Sequence, residues 1–317
     1  MQAVQVERFG VENLKVQEVA DPVPGPGEVL IATEAATINP ADLAIVTGTV
    51  ASRFPPEAVA PYIPGWDLVG QVVGAGDGVD NTMKGARVVG FTNWFTTGRG
   101  TQASVVALPA ANVVIAPDGL PSTELTTVGV NGLAAWRALA DLNLRTGDTL
   151  VITGAAGGVG GFATELAVVR GLTVIAAVRE DARWDAHALG AHAVARVGDE
   201  ELGTVVRRIV PDGADALLDT ASIGAAALGA VRDGGRYVTV TVPPPPERDI
   251  TVIRSSVRMD TEGLTTLVAM ASDGRLHTPV AAEFDLQNAR LAYEAFANRK
   301  GRGRIVLTCQ CSGNWTL

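Results

Sequence analysis

Leu150-Val151-Ile152-Thr153-Gly154-Ala155-Ala156-Gly157-Gly158-Val159-Gly160-Gly161 is an apolar strand running into a glycine-dense turn. Phe162 to Val169 then reads as helix, and Thr173 to Val178 as a second apolar strand, completing a βαβ unit. Such a turn lays a dinucleotide pyrophosphate against a helix N-terminus. Unpaired N–H groups of the first helical turn and the positive end of the helix dipole both favour an anion there. Glycine permits the tight turn and lets the backbone approach the ligand with no side chain between them. The candidate diphosphate cradle is Gly154, Ala155, Ala156, Gly157, Gly158, Val159 and Gly160.

Periodicity changes on either side of this unit. From Met1 to about Pro117 there are short strands and turns: Ala3 to Arg8, Glu28 to Ala36, Leu68 to Gly74, Ala86 to Phe91 and Ala103 to Ala107. Regularly spaced short strands broken by Pro22 to Gly27 and Gly74 to Gly78 suggest a β-barrel-like unit. From about Leu120 to Val242, helices alternate with strands. The expected helices are 133–142, 158–169, 182–189, 200–209 and 223–231; the expected strands are 149–153, 173–178, 193–197, 215–219 and 235–241. This alternation implies a parallel sheet covered on both faces. The proline run Pro243 to Pro246 is read as its end. A helix from about Leu264, a strand near Val280 to Phe284, helix 287–298 and strand Arg304 to Thr308 are expected to return to the first domain. The expected domains are thus 1–118, 119–260 and 261–317.

Composition narrows the function classes. With 317 residues, 47% of them apolar, the chain is long enough for two domains. No run reaches the roughly eighteen uninterrupted apolar residues of a membrane span, and no signal peptide is read at the N-terminus. A net charge of −9 and a pI near 4.9 disfavour nucleic acid and anionic membranes as partners. The two cysteines, Cys309 and Cys311, make no disulfide framework, so a reducing, cytoplasmic setting is expected.

Further motifs extend the pattern: Pro24-Gly25-Pro26-Gly27-Glu28-Val29-Leu30-Ile31, Asn39-Pro40-Ala41-Asp42, Pro64-Gly65-Trp66-Asp67-Leu68-Val69-Gly70, Gly132-Leu133-Ala134-Ala135-Trp136, Gly234-Gly235-Arg236 and Gly303-Arg304-Ile305-Val306-Leu307. With the glycine turn, their order resembles the medium-chain dehydrogenase/reductase superfamily, and within it the zinc-independent quinone oxidoreductase group. The resemblance implies an α/β protein: a GroES-like β-barrel catalytic domain plus a Rossmann domain with a doubly wound parallel sheet, and a cofactor in the cleft between them. It also implies a homodimer joined through the nucleotide domains.

A catalytic zinc needs about three ligands from Cys, His or a carboxylate. The zinc enzymes of the superfamily have a cysteine and a histidine-glutamate pair where this chain has Asn39 or its neighbours and Trp66-Asp67, and a four-cysteine structural lobe is missing. The three histidines, His187, His192 and His277, lie in or beyond the nucleotide domain. No metal is expected.

The end of the second nucleotide-domain strand bears on cofactor choice. An acidic residue there suits a ribose 2′-hydroxyl, and a cation suits a 2′-phosphate. Here Val178 is followed by Arg179, with Arg183 one turn on; a guanidinium fork donates two parallel hydrogen bonds to phosphate. NADPH is the expected cofactor, although Glu180 and Asp181 offer partners for a ribose hydroxyl.

Without zinc, hydride transfer relies on holding donor and acceptor in a near-attack geometry and aiming donors at the oxygen that gains charge. A conjugated carbonyl or a quinone needs less activation than a simple alcohol. The expected function is therefore NADPH-dependent reduction of a quinone or an α,β-unsaturated carbonyl. An enoyl reductase of a biosynthetic intermediate and a non-catalytic NADPH-binding redox sensor are the alternatives.

Individual roles are assigned as follows. Asn39 is either a polar group beside nicotinamide and substrate or the turn residue before Pro40. Asp42 and Asp67 are read as partners of local backbone N–H groups. Thr127 is placed at the nicotinamide end, or else caps a helix. By resemblance, the backbone of Val240, Thr241 and Val242 receives the carboxamide. Asp219 and Ser222 line the ribose or cap the next helix. Related quinone reductases often carry a tyrosine where this chain has Ala44; Tyr62 is the candidate substitute, with solvent the alternative proton source. Trp94 and Phe95 fall in the loop Phe91 to Gly100, which by resemblance borders the substrate pocket, where aromatics would suit a flat acceptor; packing under the barrel is the alternative.

Overall fold

The computed structural model describes residues 1–179, 186–298 and 302–309. The chain forms two compact units. The first comprises Met1–Val130, Met259–Gly274 and Thr278–Leu317; the second comprises Asn131–Arg258 and Arg275–His277.

In the first unit the strands are β1 (Gln2–Gln5), β2 (Lys15–Glu18), β3 (Glu28–Ile38), β4 (Asp67–Ala75), β5 (Arg87–Phe91), β6 (Val105–Pro109) and β7 (Val113–Ile115). Helices α1 (Pro40–Thr47), α2 (Trp94–Thr97) and α3 (Ser122–Leu125) lie between or after them, and α4 (Gly129–Leu142) begins as the unit ends. The second unit carries β8 (Thr149–Thr153), α5 (Gly158–Val169), β9 (Thr173–Arg179), β10 (Ala193–Val197), α6 (Leu202–Ile209), β11 (Ala214–Asp219), β12 (Val231–Thr239) and β13 (Thr251–Arg254). The first unit resumes with α7 (Thr261–Ser272), β14 (Val280–Asp285), α8 (Ala289–Asn298) and β15 (Arg304–Thr308).

β3 organises the first unit. Its Glu28–Ala32 half pairs with β6 and its Ala35–Ile38 half with β15, both antiparallel, while β4 runs along its other edge. The sheet order is β14-β15-β3-β4-β5-β7, with β6 added on β3. Serving three partners demands bends, and the β3–β4 register shifts at Leu30/Ile31 and at Thr33/Ala35. At the crossing, a Cβ on Gly70 would stand 2.2 Å from the Ala32 carbonyl oxygen, so only glycine fits. Ile31, Leu68 and Val88 fill one side of the core; Ile38, Leu307 and Tyr293 of α8 fill the other.

The second unit is a six-stranded sheet, parallel throughout, in the order β10-β9-β8-β11-β12-β13. Counted within the sheet this is 3-2-1-4-5-6, the dinucleotide-binding order, whose direction reverses between β8 and β11. Leu150, Val151, Ile152, Leu217 and Leu218 are all fully buried, as a sheet covered on both faces requires.

Several details depart from the expectations. The proline run does not end the sheet: β13 follows it as a sixth strand, Val252 opposite Tyr237. At four residues, that edge strand is too short to show a period. The helix expected at 223–231 is a 3-10 run, Gly224–Ala230. A Cβ on Gly203 would meet the Gly229 carbonyl carbon at 2.7 Å, so α6 packs directly on this backbone. β12 starts at Val231, earlier than expected; its register against β11 jumps from Ala214–Val231 to Ala216–Arg236, leaving the Gly234-Gly235 turn as an irregularity within β12. Of the helix expected at 182–189 only a 3-10 turn, Ala186–Leu189, falls within the described residues. The change of unit comes at Val130/Asn131 rather than at 118/119, since α3 packs on β3 and β4 and the Val130 N–H is bound by Asp67.

Candidate active site

In the second unit the candidate nucleotide residues collect at the C-terminal edge of the parallel strands, where open α/β sheets hold ligands. Gly154 leaves β8 in the left-handed region (φ 62°), and its own virtual Cβ would meet Thr220 Oγ1 at 2.8 Å. The Gly157 N–H donates to the Gly154 carbonyl at 2.7 Å, closing the turn. A Cβ on Gly160 would lie 2.3 Å from the same carbonyl oxygen, so the first turn of α5 presses against the loop. α5 starts at Gly158 with no side-chain cap on Gly157. A bare-backbone cradle with the helix dipole behind it fits a dinucleotide diphosphate.

Beside it, Asp219 is a structural hub. Its Oδ1 accepts from Thr153 Oγ1 (2.6 Å) and the Ala221 N–H (3.1 Å); its Oδ2 accepts from the Gly224 N–H (2.9 Å) and Tyr237 Oη (2.7 Å). Burial alone would raise its pKa, but these hydrogen bonds outweigh it and hold the carboxyl below its usual range. They fix the 220–224 loop, where Ser222 takes φ 60° and its hydroxyl donates to Thr241 Oγ1 at 3.2 Å. Thr241 Oγ1 is in turn 3.1 Å from Thr239 Oγ1. Val240 donates its N–H to the Asp219 carbonyl at 3.4 Å, and the Val242 side chain is exposed. Arg179 ends β9 with an exposed side chain. Glu180, Asp181 and Arg183 lie outside the described residues.

The first unit holds a buried polar network around α1 and the start of β4. The Asn39 N–H donates to Asp42 Oδ2 and the Gly65 N–H to Asp42 Oδ1, each at 2.8 Å. The Asn39 amide donates to Thr37 Oγ1 at 3.0 Å, and the Thr37 hydroxyl makes a short hydrogen bond to Asp67 Oδ1. Asp67 also accepts from the Val130 N–H at 3.0 Å. Gln102 links the network to α8, donating to the Thr37 carbonyl (3.2 Å) and accepting from Tyr293 Oη (2.8 Å). Burial, reinforced by the charge of Asp67, pushes the Asp42 carboxyl up to about 8. Burial likewise raises Asp67, and raises the Tyr293 hydroxyl well above its ordinary value. The network sets the orientation of the Asn39 amide, and both carboxyl groups are engaged by backbone donors.

That donor set does not fit a catalytic zinc. Its neighbours are Thr, Asn, Gln, Tyr and Trp, and no group of three metal-ligating side chains exists among the described residues.

The aromatic candidates separate. Trp94 is fully buried, its Nε1 donates to the Ile63 carbonyl at 2.8 Å, and Phe54 packs edge-on at 4.7 Å. It packs the core and has no surface to offer a ligand, a correction to its placement at the pocket. The Tyr62 ring stacks on Phe9 (6.1 Å) and meets Phe54 edge-on (5.0 Å), on the side of the barrel where Val6 bridges to its backbone. Phe95 is half-buried between Trp66 (5.3 Å) and the Arg53 guanidinium, 4.3 Å from its ring centroid. Thr127 is fully buried, and its hydroxyl has no hydrogen-bond partner among the described residues. Sequence reasoning missed Thr37, Gln102 and Tyr293; separations of 65 and 191 residues leave no local spacing to read.

The alcohol dehydrogenase GroES-like domain matches residues 25–118, and the zinc-binding dehydrogenase domain matches residues 189–307. An alcohol dehydrogenase of Moraxella is 28% identical, covering 97% of this chain and 99% of its own length. The chloroplastic quinone-oxidoreductase of Triphysaria versicolor is 29% identical over 97% of this chain and 98% of its own. The chain belongs to the medium-chain dehydrogenase/reductase superfamily. Among solved structures, an NAD-dependent alcohol dehydrogenase superposes with a TM-score of 0.84 at 26% identity, covering 97% of this chain and 99% of that one. As a member of this superfamily the protein is a nicotinamide-dependent oxidoreductase of small molecules, with a GroES-like unit and a Rossmann unit. No helix among the described residues is long and apolar enough to cross a membrane.

Proposed function

We propose that this superfamily member is a zinc-independent, NADPH-dependent reductase of quinones or α,β-unsaturated carbonyls. The observation that carries the reading is the first unit's polar network: Asn39, Thr37, Asp42 and Asp67 are held by hydrogen bonds to one another and to the backbone, a donor set that does not suit a catalytic zinc. A conjugated acceptor needs only orientation and donors; an unactivated alcohol would need more. The quinone-oxidoreductase relative supports the same class.

When bound, the reduced nicotinamide supplies the hydride. Backbone amides at Gly158 to Gly160 would hold the diphosphate, and Ser222 and Thr241 would offer hydroxyls to the nucleotide along the strand edge. Arg179, at the end of β9, would hold the 2′-phosphate. Asp219 keeps the 220–224 loop in place and does not titrate near neutrality. Asn39 and Thr127 are the polar groups given to the nicotinamide and substrate. The proton that completes reduction comes from solvent.

The test is the absorbance of NADPH at 340 nm with a panel of quinones and enones. NADPH consumption by at least one of them is expected. Tight NADPH binding with no oxidation by any acceptor would move the reading to a redox sensor.

A further inference from the structure

Asp219 is a buried charge with hydrogen-bond donors around it and no ion pair among the described residues. Four donors converge on its carboxylate: the Thr153 and Tyr237 hydroxyls and the Ala221 and Gly224 N–H groups. A carboxylate offers about four lone-pair sites and an amide oxygen only two, so this donor set requires an ionised acid. Burial, reinforced by the same carboxylate, raises the Tyr237 hydroxyl, which therefore stays a donor. Other acids of the second unit bond to cations: Asp141 to Arg137, Glu200 to Arg208, Asp215 to Arg232 and Asp233 to Arg248. The hydrogen bonds keep Asp219 ionised but leave its net charge uncancelled.

Its place in the sheet gives that charge a target. Asp219 ends β11, which flanks β8 at the point where strand order reverses. The diphosphate cradle adjoins it: the Thr220 hydroxyl donates to the Thr153 carbonyl at 2.7 Å, and a Cβ on Gly154 would meet Thr220 Oγ1 at 2.8 Å. In this sheet order the adenosine half of a dinucleotide belongs toward the end of β9, and the nicotinamide half toward β11 and β12. A nicotinamide ring is neutral when reduced and cationic when oxidised, because hydride leaves C4 with both electrons of its bond. Negative charge in a poorly screened interior therefore favours the oxidised ring, whatever the direction in which the carboxylate points. Repulsion between Asp219 and the diphosphate is the same in both forms and cancels from their ratio.

We propose that Asp219 sets the redox bias of the bound nucleotide: its charge strengthens binding of the oxidised over the reduced nicotinamide, and so makes the bound reduced form a stronger hydride donor. This is separate from holding the 220–224 loop, which acts on both forms alike. It rests on NADPH as the cofactor given above, and on no particular acceptor.

Dissociation constants for NADP⁺ and NADPH, measured by titration calorimetry on the whole chain, decide this. Asp219→Asn is expected to weaken NADP⁺ roughly tenfold more than NADPH. Tyr237→Phe removes one donor and leaves the charge, so it is expected to weaken both forms by one common factor. Ala221→Lys keeps all four donors and adds a cation on an exposed residue next to the carboxylate. It is expected to move the ratio in the same direction as Asp219→Asn, by about threefold or more. Losses of NADP⁺ and NADPH that agree within about twofold in Asp219→Asn overturn the proposal. Where that variant does not fold, an unchanged ratio in Ala221→Lys overturns it. A ratio moved as far by Tyr237→Phe as by Asp219→Asn also overturns it, since loop geometry rather than charge is then the cause. If NADH binds and NADPH does not, the cofactor reading fails by itself, and the same ratio is read from NAD⁺ and NADH.

Discussion

Arg179 and Asp42 illustrate how one side chain can be read from its surroundings. Arg179 is the exposed last residue of β9, beside the glycine turn at the strand edge. Charge-assisted hydrogen bonds are worth about 1.5–3 kcal/mol, or roughly a ten- to hundredfold change in affinity. Arg179→Ala is therefore expected to weaken NADPH by that factor and leave NADH nearly unchanged, as titration calorimetry would show. Equal losses for both nucleotides would remove the phosphate assignment. Asp42 is a different case, because burial lifts its folded pKa to about 8, well above the ordinary carboxylate range. The folded protein thus holds a proton there that the unfolded chain has released. Stability is full below about pH 4 and falls as pH rises toward 8, by at most about 1.4 kcal/mol per unit. Asp67 is raised for the same reason and adds to the slope. Asp42→Asn should flatten the dependence of the urea midpoint between pH 5 and 8; an unchanged slope would mean that Asp42 is ionised throughout. In the sequence, Asp42 showed itself as a turn partner of backbone N–H groups, while its raised pKa depends on contacts no local spacing encodes.

The β8–α5 turn was legible because its physics is local. Strand, glycines and helix are contiguous, and steric demands at Gly154 and Gly160 arise within that segment. Gly160→Ala would put a methyl group 2.3 Å from the Gly154 carbonyl oxygen. The loop or the helix start must move, and nucleotide affinity should drop roughly tenfold or more, about 1.4 kcal/mol. Gly157→Ala meets the same oxygen only at 3.0 Å and should lose less. Fluorescence titration of both variants with NADPH checks the order; equal losses would show that helix packing does not set the cradle. Elements governed by distant partners were read less well. β13 exists because β12 offers an edge beyond a proline run, and the Gly224–Ala230 segment is 3-10 because α6 lies against its backbone. The aromatic loop shows the same limit. Resemblance put Trp94 and Phe95 together at the pocket, with packing as the alternative, whereas Trp94 is buried and Phe95 is half-open.

Chain order and spatial order diverge most in the first unit, which is built from both ends of the sequence. β15 is its last strand in sequence yet an interior one in the sheet, flanked by β14 and by β3, with Ile305 opposite Ile38 and Leu307 opposite Ala36. Ile305, Val306 and Leu307 are buried, and Ile305 and Leu307 share a core with Tyr293 and Phe296 of α8. A chain ending at Asn298 would expose one edge of β3 and leave β14 without its partner. Burying these side chains contributes about 1.5–3 kcal/mol each, a large part of the total stability of an ordinary domain. Among the described residues the second unit draws no strand from that region, and the last strand of its sheet is β13. The truncated protein is thus expected to lose protease resistance across residues 1–130 and keep it across 131–258. Limited trypsin digestion followed by mass spectrometry reads this directly. Equal resistance in both stretches would mean that β3 and α8 close the first unit without β15, and equal loss would mean that the second unit depends on the first to fold.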